Sequence, residues 1–240
     1  FAANSIIPTA NLTASSPTGT WYSTAPYKGA IAPNAAGAWY ANWSFYDNLV
    51  SGNTNSDPFT TPTNDVTVDQ AWMDNQASAN NNMINWNKNT LYKLSGFVFV
   101  KSNVTLTIQE GTIIQGMAGT GASASALIVA RGGKIMAEGT ASEPIIFTFD
   151  GDNGNTPATN RGQWGGLILL GNASLNSTPG ETQIEGIPTS NALGLYGGTD
   201  DADNSGTLRY VSIRHGGSNI GNDNEINGLT LGGVGSGTTI

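Results

Sequence analysis

The residues best suited to chemistry cluster at Asp200-Asp201-Ala202-Asp203-Asn204-Ser205-Gly206. Side-chain oxygens at alternating positions, closed by a glycine that allows a sharp turn, match the first half of a Ca2+ loop. Asp200, Asp201 and Asp203 are therefore candidate metal ligands. The bidentate glutamate such a loop carries at its twelfth position is missing, because Ser212 stands there. Asp150-Gly-Asp152-Asn-Gly-Asn155 is a sparser version and makes Asp150 and Asp152 a second candidate pair. The competing reading of both segments is that Asp, Asn and Gly simply build turns. Calcium is the cofactor these residues point to, and no other is expected.

His215 is the only histidine and follows directly on Arg214. Arg209 and Arg214 read as flanking one strand, 208–213, and pointing to opposite faces of it. A serine-hydrolase elbow is excluded, since no Gly-x-Ser-x-Gly pentapeptide stands between a strand and a helix. The glycine-rich stretch 232–237 is no phosphate loop, because no lysine follows it. Five Asn-x-Ser/Thr acceptor patterns, at Asn11, Asn42, Asn103, Asn172 and Asn176, are accounted for by the abundance of those residues.

A second chemical signal is aromatic. Trp21, Tyr22, Tyr27, Trp39, Tyr40, Trp43, Phe45 and Tyr46 crowd the first 46 residues. Trp39, Tyr40 and Trp43 are candidate platforms for the rings of an extracellular polysaccharide. The alternative is that these rings seal the end of a hydrophobic core or an interface with another subunit. Residues 51–64 are turn-rich and read as a linker. The expected division is an aromatic-rich segment, 1–64, followed by the main body, 65–240.

Positioning these residues falls to short strands. Val104-Thr-Leu-Thr-Ile108 returns 22 residues later as Ala126-Leu-Ile-Val-Ala130. Thr112-Ile-Ile-Gln-Gly116 returns at the same lag as Lys134-Ile-Met-Ala-Glu-Gly139. Two unrelated segments sharing one lag point to a solenoid, whose coils bury their apolar faces only by stacking. Valine, leucine and isoleucine alternate with threonine in 104–108, as in a half-buried strand. Further strands are expected at Phe97–Val100, Ile145–Phe149, Leu167–Leu170, Leu208–Ile213 and Leu229–Leu231, with one or two helical turns in Asp69–Gln76. Loops 150–163 and 172–196 are too long for plain corners and should project from the scaffold. Three short sheets wound over six or seven coils follow.

Composition narrows the partners. Only 11% of the 240 residues are charged, against roughly 25% in ordinary soluble domains. The net charge of −8 repels a nucleic-acid backbone. No apolar run is long enough to span a membrane. Without cysteine, an exported chain must draw its stability from stacked strands. The chain starts at Phe1 and stops within an apparent strand at Ile240, which suggests a piece of a longer protein or a subunit completed by another copy.

Gly96-Phe-Val-Phe-Val, Val104-Thr-Leu-Thr-Ile, Gly111-Thr-Ile-Ile-Gln-Gly116, Ala126–Thr140, Pro144-Ile-Ile-Phe-Thr, Gly162–Gly171, Leu208–Gly217 and Asn224–Leu231 together resemble one family. It is the secreted bacterial right-handed parallel β-helix surface proteins of the pectin-lyase-like fold, mostly uncharacterised. The resemblance spans roughly 84–240 and implies an all-β, right-handed parallel β-helix at the bacterial surface or outside the cell. Pectin-degrading hydrolases on this fold use clustered aspartates before a Gly-flanked histidine and a basic residue. Asp200, Asp201, His215 and Arg214 echo that order, although here the basic residue precedes the histidine. One departure concerns Tyr27-Lys-Gly-Ala-Ile31 with Trp39 and Trp43, which resembles a segment that usually closes such a helix yet here precedes the first coil. The favoured function is an extracellular structural or adhesive protein, either stacking end to end with copies of itself into a filament or belonging to a larger tandem-module surface protein. The alternatives are a carbohydrate-binding module and a polysaccharide lyase or glycoside hydrolase.

Overall fold

The computed structural model describes residues 60–240, apart from Ala158, Asn222 and Asp223. All of these fall in one compact unit, Asp57–Ile240. In chain order the elements are β1 (Asp65–Val68), α1 (Gln70–Ala79), β2 (Met83–Trp86), β3 (Leu91–Leu94), β4 (Phe97–Val100) and β5 (Thr105–Ile108). Next come β6 (Ile113–Gly116), β7 (Ala126–Val129), β8 (Lys134–Glu138), β9 (Ile145–Phe149) and β10 (Gly166–Leu170). The hairpin β11 (Glu181–Gln183) and β12 (Leu195–Gly197) precedes β13 (Gly206–Arg209) and β14 (Val211–Ile213). The last elements are β15 (Asn219–Gly221), β16 (Asn224–Glu225) and β17 (Leu229–Gly232).

These strands form a parallel β-helix. Sheet I has the order β1-β3-β6-β9-β14, sheet II β4-β7-β10-β17, and sheet III β2-β5-β8-β13. The backbone visits sheet I, then II, then III, and begins again. Within the three sheets every pairing is parallel, and each coil buries the apolar residues of the one before it. Aligned columns fill the interior. Tyr92, Ile114, Phe147 and Ile213 stand in register along sheet I, and Val98, Leu127, Leu167 and Leu229 along sheet II.

The architecture is as expected, but the pairing inferred from the 22-residue lag is not. Val104–Ile108 and Ala126–Ala130 lie in different sheets: β5 pairs with β8, and β7 pairs with β4. A step of 22 does separate real neighbours, Met83 from Thr105 and Tyr92 from Ile114. The segment 117–125, with its 3-10 turn Gly121–Ser123, then lengthens the next coil, so Thr105 pairs with Lys134 instead. A ladder constrains the strands it bonds and leaves the connecting lengths free. The same lengthening reduces the coil number. Sheet I is visited five times among the described residues, fewer than the six or seven coils expected.

Two local expectations also change. Leu208–Ile213 is not one strand, because Tyr210 takes φ 47° and turns the chain from β13 in sheet III to β14 in sheet I. Arg209 and Arg214 therefore lie on different strands' ends. The helical turns expected near Asp69–Gln76 extend to a ten-residue helix, α1. Asp69 caps it by accepting from the Trp72 amide at 2.7 Å, and Met73 and Ala77, one turn apart, face the core. Helix α1 occupies the position between sheets I and III where later coils place a sheet II strand.

Loops cover two outer faces. The outer face of sheet II carries Phe99, Ala126, Ile128, Ile168 and Leu170, and Ile184, Leu193 and Tyr196 of the 172–196 loop pack on it. That loop is therefore folded back onto the scaffold.

Candidate functional site

All connections from sheet I to sheet II emerge on one side of the solenoid. The first is two residues, Ser95 and Gly96, whereas the later ones run through 117–125, 150–165 and 214–228. Stacked coils bring these longer loops together, and they carry Asp150, Asp152, Arg161, Arg214 and His215.

Asp152 is the hub. The 150–165 loop turns back over the outer face of sheet I, where Gln115 and Thr148 stand in register and are buried. Thr148 Oγ1 donates to Asp152 Oδ2 at 2.7 Å. Thr156 Oγ1 donates to Oδ1 at 2.7 Å, and the Gly154 amide to the same oxygen at 3.0 Å. Gln115 Nε2 donates to the Asp152 carbonyl at 3.1 Å. Burial acts to raise the carboxyl's pKa. The hydrogen bonds from Thr148, Thr156 and Gly154, with His215 opposite, outweigh it and hold the group below its ordinary value.

His215 reaches this hub from the next coil. Its backbone lies in the left-handed region at φ 56°. Its Nε2 is 3.9 Å from Asp152 Oδ2, and the two side chains are 8% and 1% exposed. Nδ1 bonds the Asn160 carbonyl, which can only accept, so Nδ1 carries the proton. Phe149 meets the imidazole edge-on at 5.4 Å between ring centres. Arg214 is tied by its Nε to Ser212 Oγ at 3.0 Å, and its carbonyl accepts from Trp164 Nε1 at 2.7 Å. Trp164 is fully buried beside Phe147 and fills the space that Gly116 leaves in the sheet I column. A Cβ on Gly116 would stand 2.7 Å from Trp164 Cβ.

The sequence candidates are thus regrouped. Asp150 and Asp152 diverge: Asp150 pairs with Lys93 at 3.2 Å, and Asp152 turns inward. Lys93 also meets Asp65 at 3.3 Å, and the hydrogen bond it donates to Asp150 leads in raising its pKa. The Asp200 cluster lies at the corner between sheets II and III, away from His215 at the corner between sheets I and II. Asp200 Oδ1 accepts from the Ala202 amide, Asp201 Oδ1 from Ser174 and Asp203 Oδ2 from Ser205 Oγ. The Ser174 bonds hold Asp201 below its usual pKa. Among the described residues no three His, Cys, Asp or Glu side chains converge, either around Asp200, Asp201 and Asp203 or around Asp150 and Asp152. Asp200 and Asp201 thus stand at a different corner of the coils from Arg214 and His215. The Asp152–His215 pairing was missed. Its signal was the in-register match of Phe147 with Ile213, which the reading of 208–213 as one strand concealed. Trp39, Tyr40 and Trp43 lie outside the described residues.

Chemically, both imidazole nitrogens face protein groups and every Asp152 oxygen has a donor. The arrangement is suited to tying two coils together. General acid–base work needs one of these atoms turned to a substrate.

Residues 78–240 match the family model described as a pectate-lyase-like beta helix domain. No curated protein and no solved structure matches the chain.

Proposed function

The chain belongs to the pectate-lyase-like β-helix family, and from that premise we propose that it is a non-enzymatic, extracellular structural or adhesive protein of the bacterial surface. One observation carries this reading. The acid and histidine that the coils bring together are buried and spent on fixing loop 150–165. Glycoside hydrolysis needs two carboxylates facing one bond, roughly 5 to 9.5 Å apart. Here the nearest aspartate in sequence, Asp150, faces Lys93 instead. The test is release of reducing or unsaturated ends from acidic and neutral polysaccharides by the purified chain. None is expected, and release abolished by Asp152→Asn would sink the reading.

A second reading, glycan binding, is favoured by the outer face of sheet III. Asn85, Thr107, Met136 and Thr207 stand in register across four coils, and exposed Tyr210 and Arg209 flank them. Two recesses there share Glu138. Glycan-array binding lost in Tyr210→Ala would favour this reading, and an array without signal would remove it.

A further inference from the structure

Among the described residues, strand β4 is the first strand of sheet II, and one side of its backbone has no partner strand there. The Ala126 and Ala130 amides bond the Gly96 and Val100 carbonyls. By alternation, the amide and carbonyl of Phe99 point the other way, toward α1. An unpaired row of this kind is a template for strand addition from another chain.

Gln70, the first residue of α1, fills that position. Its Oε1 accepts from the Phe99 amide at 2.7 Å and its Nε2 donates to the Phe99 carbonyl at 3.3 Å. One side-chain amide thus makes both bonds that a further strand would make at this residue. The amide's orientation is itself determined. Nε2 also donates to Asp74 Oδ1 at 2.9 Å, and a carboxylate can only accept. Asp74 is anchored in turn by Lys101, just beyond β4, at 2.8 Å. The Lys101 bond leads in holding Asp74 below its usual pKa. Gln70, Asp74 and Lys101 close a ring between helix and strand over the buried Met73.

We propose that Gln70 is an edge stop: it ends sheet II by imitating a rung and prevents a strand of a second copy from adding to β4. Asp74 is the positioning residue that aims the amide. The solenoid is then closed to self-addition at this edge, which bears on any end-to-end assembly of the kind expected from the sequence.

The test uses the full chain and two variants of α1. Gln70→Leu keeps much of the side chain's bulk and its helix preference but removes both bonds to Phe99. Asn80→Ala loosens the far end of the helix by removing its bond to the Gln76 carbonyl, and leaves Gln70 in place. Circular dichroism establishes that each is folded. If Leu fails at this position, Gln70→Ala replaces it. Sedimentation velocity over a hundredfold range of concentration and hydrogen exchange at the Phe99 amide are the readouts. The Gln70 variant should exchange about tenfold faster at Phe99, the effect of losing one net hydrogen bond of about 1.4 kcal/mol. It should also associate with rising concentration, while Asn80→Ala sediments as the parent chain does. Association by both variants or by neither, or unchanged exchange at Phe99, overturns the proposal.

Discussion

The first coils and the last coils use one strand scaffold in two ways. Between Met83 and Thr105 the chain completes a coil in 22 residues, with corners of a few residues, and side chains of its strands and of α1, with Val104 beside them, fill the interior. Between Ile135 and Gly206 one coil spans 71 residues, because the chain leaves the scaffold in two long loops and returns. Ladder spacing is unaffected, since backbone hydrogen bonds set it. What changes is the source of the packing. In the early coils Trp86 belongs to a strand and stacks on Tyr92 at 4.6 Å. In the later coils Trp164 belongs to a loop, enters the core where Gly116 makes room, and is fixed by a bond to a corner carbonyl. A loop on a β-helix is thus no mere excursion when it donates its own core residue.

The largest effect that would test this contrast is at the two tryptophans. Trp164→Ala should cost about 3–5 kcal/mol in urea unfolding, from the cavity and the lost bond to Arg214. Trp86→Phe should cost less than about 1.5 kcal/mol, because the buried Trp86 Nε1 has no hydrogen-bond partner among the described residues. Equal losses would break the distinction. Gly116→Ala comes next, at about 1–3 kcal/mol, because the new methyl collides with Trp164 and Ser125 Oγ.

Asp152→Asn should follow at about 1–3 kcal/mol at pH 7, since it weakens the bonds to a charged, buried acceptor. Its pH dependence has a fixed sign. The folded carboxyl's pKa is depressed, so its stabilisation is present at neutral pH and is lost as pH falls below about 4, through the folded value. The parent chain should therefore lose more stability than Asp152→Asn between pH 5 and 2, read from melting curves. Parallel acid limbs would remove Asp152 from the role of loop anchor. The smallest effect belongs to the surface ion pair of Arg131 and Glu181, at 2.8 Å beside the hairpin. Glu181→Ala should cost under about 1 kcal/mol, because exposed charges remain hydrated when paired.

Much of the scaffold was legible in the residues. Alternating valine, leucine, isoleucine and threonine identified β5, and Phe97–Val100 and Ile145–Phe149 have the boundaries expected of them. Tyr210 hid a corner because a tyrosine between Arg209 and Val211, in a run from Leu208 to Ile213, reads as strand, and only its left-handed backbone shows the turn. The candidate site was less legible. Asp152 and His215 were each noticed, but neither spacing nor composition placed them together.

Residue order alone determined that short apolar strands must stack, since none could bury its face unaided. It also confined bulk charge to few positions. Which strand lies on which was decided by the tertiary structure, because loop length alters sequence separation without altering the ladder. The same holds for the partners of each carboxylate. Asp152 is anchored and Asp150 exposed to Lys93 two positions away, a difference set by the sheet surface onto which the chain folds back.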